Sequence, residues 1–96
     1  TGGFPLSMNS LSGTTTTWTD KKVSIIELIY ALHTSRCINN GTTDIRELSA
    51  FFSKIFNIEL GDIYRTYVEI KGRNNPTQFL DTLKTNLSKK IHDDLE

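Results

Sequence analysis

The residues best suited to chemistry lie between positions 64 and 75, where side chains that bind nucleic acid follow one another closely. Arg65 carries a planar guanidinium that can donate two parallel hydrogen bonds to guanine, so it is the candidate for reading a base. Tyr64 is suited to a phosphate or a thymine methyl group, and Lys71 and Arg73 are suited to anchoring phosphates. The candidate DNA-binding residues are therefore Tyr64, Arg65, Lys71, Arg73, Asn74 and Asn75.

The charges of the chain are balanced overall but sorted along its length. Lys and Arg number 11, as do Asp and Glu, which counts against a strongly basic nucleic-acid-binding domain. From Ile63 to His92, however, six cations stand against two acids, while acids gather in Asp44–Asp62 and at Asp93, Asp94 and Glu96. This sorting is compatible with a one-sided phosphate-binding surface, to which backbone N–H groups near Thr77 could add. For any single charge, an ordinary solvated helix face is the alternative.

Catalytic and metal-binding patterns are weak in this sequence. His33, Cys37 and His92 are its only imidazole and thiol groups, whereas a zinc site needs about four such ligands. Phosphate-binding glycine loops are absent, and Asp93–Asp94 is interpreted as a tail charge. We therefore expect a protein that is not an enzyme and that uses no cofactor or metal.

A helix-turn-helix is predicted in the middle of the chain. The first helix of the pair is Asp44–Phe56, the turn is Asn57–Glu59, and the second helix is Leu60–Lys71. Asn57 stands where such a turn needs a left-handed backbone, which Asn tolerates. The second helix would direct its outward positions, at 59–61 and 64–65, toward a major groove. Two helices joined by a short turn without any role in DNA binding are the alternative.

The remaining elements predict an all-α, four-helix domain at residues 18–96, preceded by an entry segment or linker at residues 1–17. Thr19 is the expected N-cap of a central helix in which eight of the ten residues 23–32 are apolar. Asn75 and Pro76 are expected to begin the last helix. A short β-hairpin stays open, in which Thr14–Thr17 would pair with a strand at the turn Asn39–Gly41. The first helix of the pair is expected to bury Ile45, Leu48, Phe51, Phe52, Ile55 and Phe56, and the last helix Phe79, Leu80, Leu83, Leu87 and Ile91.

The sequence also suggests a compartment. Cys37 cannot form an internal disulfide and is interpreted as a small buried hydrophobe in a reducing environment. No signal peptide and no apolar run of transmembrane length are recognised. The expected location is the cytoplasm, and the chain is interpreted as a fragment because it does not begin with Met.

From Trp18 onward the chain resembles the C-terminal part of the RteC family. The resemblance rests on the residues Trp18–Thr19, Glu27–His33, Ile38–Gly41, Asp44–Ile45, Phe56–Asn57, Leu60–Gly61, Tyr64–Arg65 and Phe79–Asp81. It implies a regulator carried on conjugative transposons, which acts on excision and transfer genes downstream of tetracycline exposure. It further implies an α-helical fold with a winged-helix or helix-turn-helix part, promoter DNA as partner, and no cofactor. A wing would most naturally lie in Gly72–Asn75, although four residues are too short for a β-ribbon.

Two hypotheses follow. The first is a DNA-binding transcriptional regulatory domain of a mobile element, with double-stranded promoter DNA as its partner. The second is a helical protein-interaction or dimerisation module without direct DNA contact. The two are compatible, because regulators that read inverted repeats are often homodimers.

Overall fold

The computed structural model describes residues 16–95, which contain four α-helices. They are α1 (Lys22–Thr34), α2 (Ile45–Ile55), α3 (Ile63–Lys71) and α4 (Gln78–Leu95), and a single 3-10 turn (Asn39–Gly41) lies between α1 and α2. The all-α prediction is confirmed for these residues. The described part of the chain contains no strand, so the expected hairpin and wing are not found in it. Thr14 and Thr15, half of the predicted strand Thr14–Thr17, lie outside the described residues.

Helix α1 is central, as its apolar sequence predicts. The three other helices all pack against it. Ile25, Ile26 and Ile29 are completely buried, and even the two polar positions Ser24 and Glu27 are excluded from solvent. A helix surrounded by three others has no solvent face in its middle turns, which explains its nearly continuous apolar run.

Helix α1 begins two residues later than expected. Lys21, not Thr19, is the N-cap, and the Asp20 carboxylate accepts a hydrogen bond from the Lys21 backbone N–H at 2.6 Å. The Trp18 indole instead donates to the Lys21 carbonyl at 2.8 Å. Its ring packs edge-on against Phe56 and Phe79, with centroid distances of 5.7 and 5.8 Å, so Trp18 ties the end of α2 to the start of α4.

Helix α2 begins as predicted and buries less than predicted. Asp44 and Glu47 form the capping box implied by their spacing. Ile45 and Leu48 are buried, and Phe52 and Phe56 pack against the core. Phe51 and Ile55 lie at the edge of this face and remain exposed, so their predicted burial is wrong.

The bend after α2 lies at Asn57, but the connection is longer than a three-residue turn. Asn57 has a φ of 51°, in the left-handed region, and Gly61 has a φ of 67°. The next helix begins at Ile63, not Leu60, because the Asp62 side chain accepts hydrogen bonds from the Tyr64 and Arg65 backbone N–H groups. Leu60 is buried in the core within the connection instead of lying on a helix. Residues 59–61 therefore do not form the first turn of a recognition helix.

Helix α4 departs most from the sequence expectation. Of its five predicted core residues, only Phe79 and Leu80 are partly buried, because α4 packs on α1 mainly through its first turn. The exposed fractions of the later apolar residues are Leu83 39%, Leu87 60%, Ile91 50% and Leu95 82%. The helix also begins at Gln78 rather than Pro76, since the Asn75 side chain accepts the Thr77 N–H and forms a turn ahead of it.

Two smaller points complete the fold. Cys37 is exposed, so its predicted burial is wrong; it lies in the turn after α1, next to Arg36, whose φ of 58° is in the left-handed region. Among the described helices, none combines the length and the apolar character needed to cross a membrane.

The left-handed backbone at Asn57 generates a stability prediction. Replacing Asn57 with Val puts a β-branched residue in a region that costs about 1–2 kcal/mol, so Asn57→Val lowers the free energy of unfolding by that amount. Asn57→Gly leaves it nearly unchanged. Urea denaturation followed by circular dichroism measures both. The matched control is Asn74→Val, at an exposed position without positive φ, and an equal loss in the two Val variants contradicts the assignment.

Candidate nucleic-acid interface

The outward face of α3 carries the sequence-predicted residues Tyr64, Arg65 and Lys71, all of which are exposed. The inward face of the same helix buries Ile63 and Ile70 against α1. Because Ile63 and Ile70 are seven residues apart, they hold one side of the helix at both ends. The opposite side is consequently presented to solvent with a fixed orientation.

Two acids near the start of α3 would repel phosphates if their carboxylates were free. Asp62 is not free, because its Oδ1 accepts the backbone N–H groups of Tyr64 and Arg65, each at 3.1 Å. These two hydrogen bonds satisfy two otherwise unpaired donors and place negative charge against the positive end of the helix. Glu59 lies in the connection before the helix, exposed to solvent. Asp62 is therefore hydrogen-bonded to the start of α3 but exposed, and Glu69, four residues after Arg65, is a second exposed acid on this helix.

Lys71 is held by an aromatic stack. Its ammonium lies 4.9 Å from the centroid of the Tyr67 ring, and Tyr67 stacks on Tyr30 of α1 with centroids 4.1 Å apart and planes 8° from parallel. A cation over an aromatic face is stabilised while it keeps its hydrogen-bond donors available. The stack thus orients Lys71 at the C-terminal end of α3 without neutralising it.

The Tyr30 hydroxyl beneath this stack is buried and has no hydrogen-bond partner among the described residues. Burial raises the pKa of Tyr30 above its ordinary value of 10.0, and the neighbouring Tyr64, Tyr67 and Asp62 raise it further. Tyr30 is therefore a neutral packing group at physiological pH.

Arg73 has a different environment from the other candidates. Its Nη1 lies 3.0 Å from Oε1 of Glu27, in an ion pair whose Glu27 side chain is only 3% exposed and whose Arg73 side chain is 20% exposed. The second oxygen of Glu27 accepts the backbone N–H of Leu80 at 2.9 Å. Arg73 thus connects the α3–α4 junction to α1, and the phosphate contact expected of it stays a prediction.

Asn74 and Asn75 lie in the short junction between α3 and α4, and both are exposed. The Asn75 amide is committed to this junction: its oxygen accepts from Thr77, and its nitrogen donates to Asp81 at 2.9 Å. Asn74 is the more accessible of the two to a ligand.

One cation of this region escaped the sequence analysis. Arg46 of α2 lines a shallow cleft of about 350 Å³ between α2 and the start of α3, together with Asp62 and Tyr64. The only sequence signal is the four-residue spacing from Arg46 to Ala50, which puts a small residue on the same side of α2 and leaves room beside the arginine. The exposed cations near the face are thus Arg46, Arg65 and Lys71.

Comparison with known proteins identifies the family. The family model described as RteC protein matches residues 6–94, nearly the whole chain. The chain belongs to the RteC family. RteC is a regulatory family associated with conjugative transposons. The match begins at residue 6, twelve residues before the Trp18 at which the sequence resemblance was placed. No curated protein and no solved structure matches the chain.

The Arg73–Glu27 pair predicts a large stability effect at a residue that otherwise resembles a surface cation. Arg73→Ala leaves the buried Glu27 carboxylate without its counter-charge and lowers the free energy of unfolding by roughly 2–4 kcal/mol. Arg65→Ala, on the exposed face of the adjacent helix, changes it by less than about 0.5 kcal/mol. Urea titrations of the two variants measure the difference, and equal stabilities would refute the structural role of Arg73.

Tyr30 predicts how stability changes at alkaline pH. Tyr30→Phe removes an unpaired buried hydroxyl and leaves the stability at pH 8 unchanged or higher. The unfolded chain releases the Tyr30 proton near pH 10, whereas the folded protein keeps it to a higher pH because its pKa is raised. The Tyr30 contribution is therefore complete below pH 10 and is lost as the pH rises through the folded value. Between pH 8 and 11 the wild type should lose more stability than Tyr30→Phe in urea titrations; parallel losses contradict the prediction.

Proposed function

We propose that this chain is a DNA-binding transcriptional regulatory domain of a mobile genetic element, which binds promoter DNA through the outward face of α3 and controls excision or transfer genes. The observation that carries the proposal is the exposure of Arg65 on a helix whose other side is buried against α1. Membership of a regulatory family associated with conjugative transposons supports the same conclusion.

The residues have distinct roles in this proposal. Arg65 reads a base edge in the major groove, because its fork of donors matches guanine. Lys71 and Arg46, at the two ends of the face, bind phosphates and fix the register of the helix on the duplex. Tyr64 stands between Arg46 and Arg65 and contacts backbone or a thymine methyl group, while Asn74 adds a contact beyond the end of α3.

The small number of exposed cations limits the electrostatic part of binding. With the two phosphate contacts assigned to Lys71 and Arg46, log K should fall with log salt concentration with a slope of about −2, since each contact releases roughly 0.9 counterion. This is a shallow dependence for a DNA-binding protein and agrees with the zero net charge of the chain. Specificity must then come mainly from the fit of α3 in the groove.

The experiment is a fluorescence-anisotropy titration with regulatory DNA of the element against a scrambled duplex. Arg65→Ala should reduce the preference for the specific duplex by about 1–3 kcal/mol. Lys71→Ala should weaken both complexes alike and reduce the salt slope by about 1. Lys89→Ala removes an exposed cation from α4 and is the matched control, without effect on either quantity.

Two results would refute this assignment. Unchanged binding in both Arg65→Ala and Lys71→Ala means that DNA is bound by another surface. Equal affinity of the wild type for specific and scrambled duplexes at every salt concentration means that the chain is not a sequence-reading regulator.

A second candidate function is a protein-interaction module without direct DNA contact. The observation that favours it is the set of large apolar side chains that α4 leaves exposed between Leu83 and Leu95. Absence of any DNA complex, with a defined protein complex in its place, would make this the function of the chain.

A further inference from the structure

Helix α4 extends beyond the packed part of the domain. All residues from Asp81 to Leu95 are exposed, and we refer to residues 81–95 as the arm. An α-helix rises about 1.5 Å per residue, so the arm is about 22 Å long. Isolated helices of this length are marginal in water even with favourable sequences. The arm therefore needs contacts that the described residues do not supply.

The apolar residues of the arm form one row. Leu83, Leu87, Ile91 and Leu95 are spaced by four residues, which places them along a single ridge of the helix. Leu87 and Leu95 are 60% and 82% exposed. Contiguous apolar patches of this kind on soluble proteins mark interaction surfaces.

The charges of the arm indicate which partner fits. Lys84 lies near the start of the apolar row, and Asp93 and Asp94 lie near its end. If a second arm runs antiparallel and crosses the first near Lys89, Leu87 meets the second copy's Ile91 and Leu83 meets its Leu95. The same arrangement brings Lys84 toward the second copy's Asp94. The existing Lys90–Asp94 bridge does not prevent this, because both side chains are well exposed and such pairs are weak.

We propose that the arm is a dimerisation element that pairs antiparallel with the arm of a second copy of this chain. Rows spaced by four residues interdigitate when two helices cross at about −50°, so each arm offers the ridge that the other requires. The interface is isologous, since the same row contributes from both copies.

The pairing stands independently of the DNA proposal. If both hold, the twofold axis between the arms relates two α3 helices, and the bound DNA is an inverted repeat. This consequence, but not the pairing, rests on the proposed function.

The test is sedimentation velocity of the full 96-residue chain under reducing conditions, at low and high micromolar concentrations. The wild type should form a dimer as the concentration rises. Leu87→Asp should raise the dimer dissociation constant roughly a hundredfold or more, because the symmetry removes the leucine contact twice. The matched control is Thr85→Asp, which adds the same charge at an exposed position on the opposite side of the helix and leaves the dimer intact. Circular dichroism confirms that both variants fold.

Charge reversal tests the antiparallel arrangement. Lys84→Glu and Asp94→Lys should each weaken the dimer, and the double variant should recover at least part of the lost affinity. No recovery would refute the antiparallel register.

Three further results would overturn the proposal. A wild type that stays monomeric at all concentrations excludes a second copy as occupant. A monomer whose melting temperature falls in Leu87→Asp but not in Thr85→Asp shows that the row is covered by other residues of the same chain. A dimer that survives Leu87→Asp unchanged is held together elsewhere.

Discussion

The buried carboxylate of Glu27 is the constraint on which the arrangement of this domain depends. It lies on the central helix, almost without solvent exposure, and needs partners because an unpaired buried charge is strongly unfavourable. Arg73 and the backbone N–H of Leu80 supply them, from the two sides of the α3–α4 junction. One side chain therefore holds both sides of the α3–α4 junction against α1. The Leu80 N–H is also one of the donors that a helix start leaves unpaired, so Glu27 serves α4 as a cap supplied by a different helix.

The structural roles of individual charged groups explain why the net charge of the chain is a poor guide to its surface. Asp62 and Glu27 have structural roles: Asp62 accepts two N–H groups of α3, and Glu27 is buried with Arg73, whereas Glu69, four residues after Arg65 on α3, is exposed. The Lys71 ammonium lies over the Tyr67 ring and not against a carboxylate. Net charge counts all of these groups equally, whereas a ligand approaching α3 does not meet the buried Glu27 but does meet Asp62 and Glu69, which are exposed. The placement of each charge is thus a better guide to an anionic partner than the balanced composition.

Much of the fold could be predicted from local patterns, and the predictions that failed did so for a common reason. The apolar run from Val23 to Leu32 implied a helix enclosed by others, and Asn57 implied a left-handed bend; both are found. Local pattern could not predict the partner of Glu27, because Arg73 lies 46 residues away. Nor could it separate a row of leucines buried within the domain from a row left outside it, since periodicity defines a face but not what covers it.

The candidate interface was likewise predicted where local sequence pattern is decisive and missed where residues distant in sequence meet. Tyr64, Arg65 and Lys71 are all exposed on α3, as their positions implied, because the apolar residues Ile63 and Ile70 turn the other side of the helix toward α1. Arg46 was missed because it lies on α2, and the sequence does not show that it lines the same cleft as Tyr64 of α3. The start of α3 was misplaced because Leu60 continues the apolar pattern of the helix, while the cap at Asp62 decides where hydrogen bonding begins.

The exposed position of Cys37 has a consequence for the chemistry of the isolated chain. It is the only cysteine in these 96 residues, so any disulfide formed among copies of this chain must join two molecules. An accessible thiol oxidises far more readily than a buried one. Under oxidising conditions, pairs would be linked covalently through the turn that follows α1, whatever the helices themselves prefer. The redox state of the solvent, and not only the protein concentration, therefore determines the fraction of chains that are dimeric.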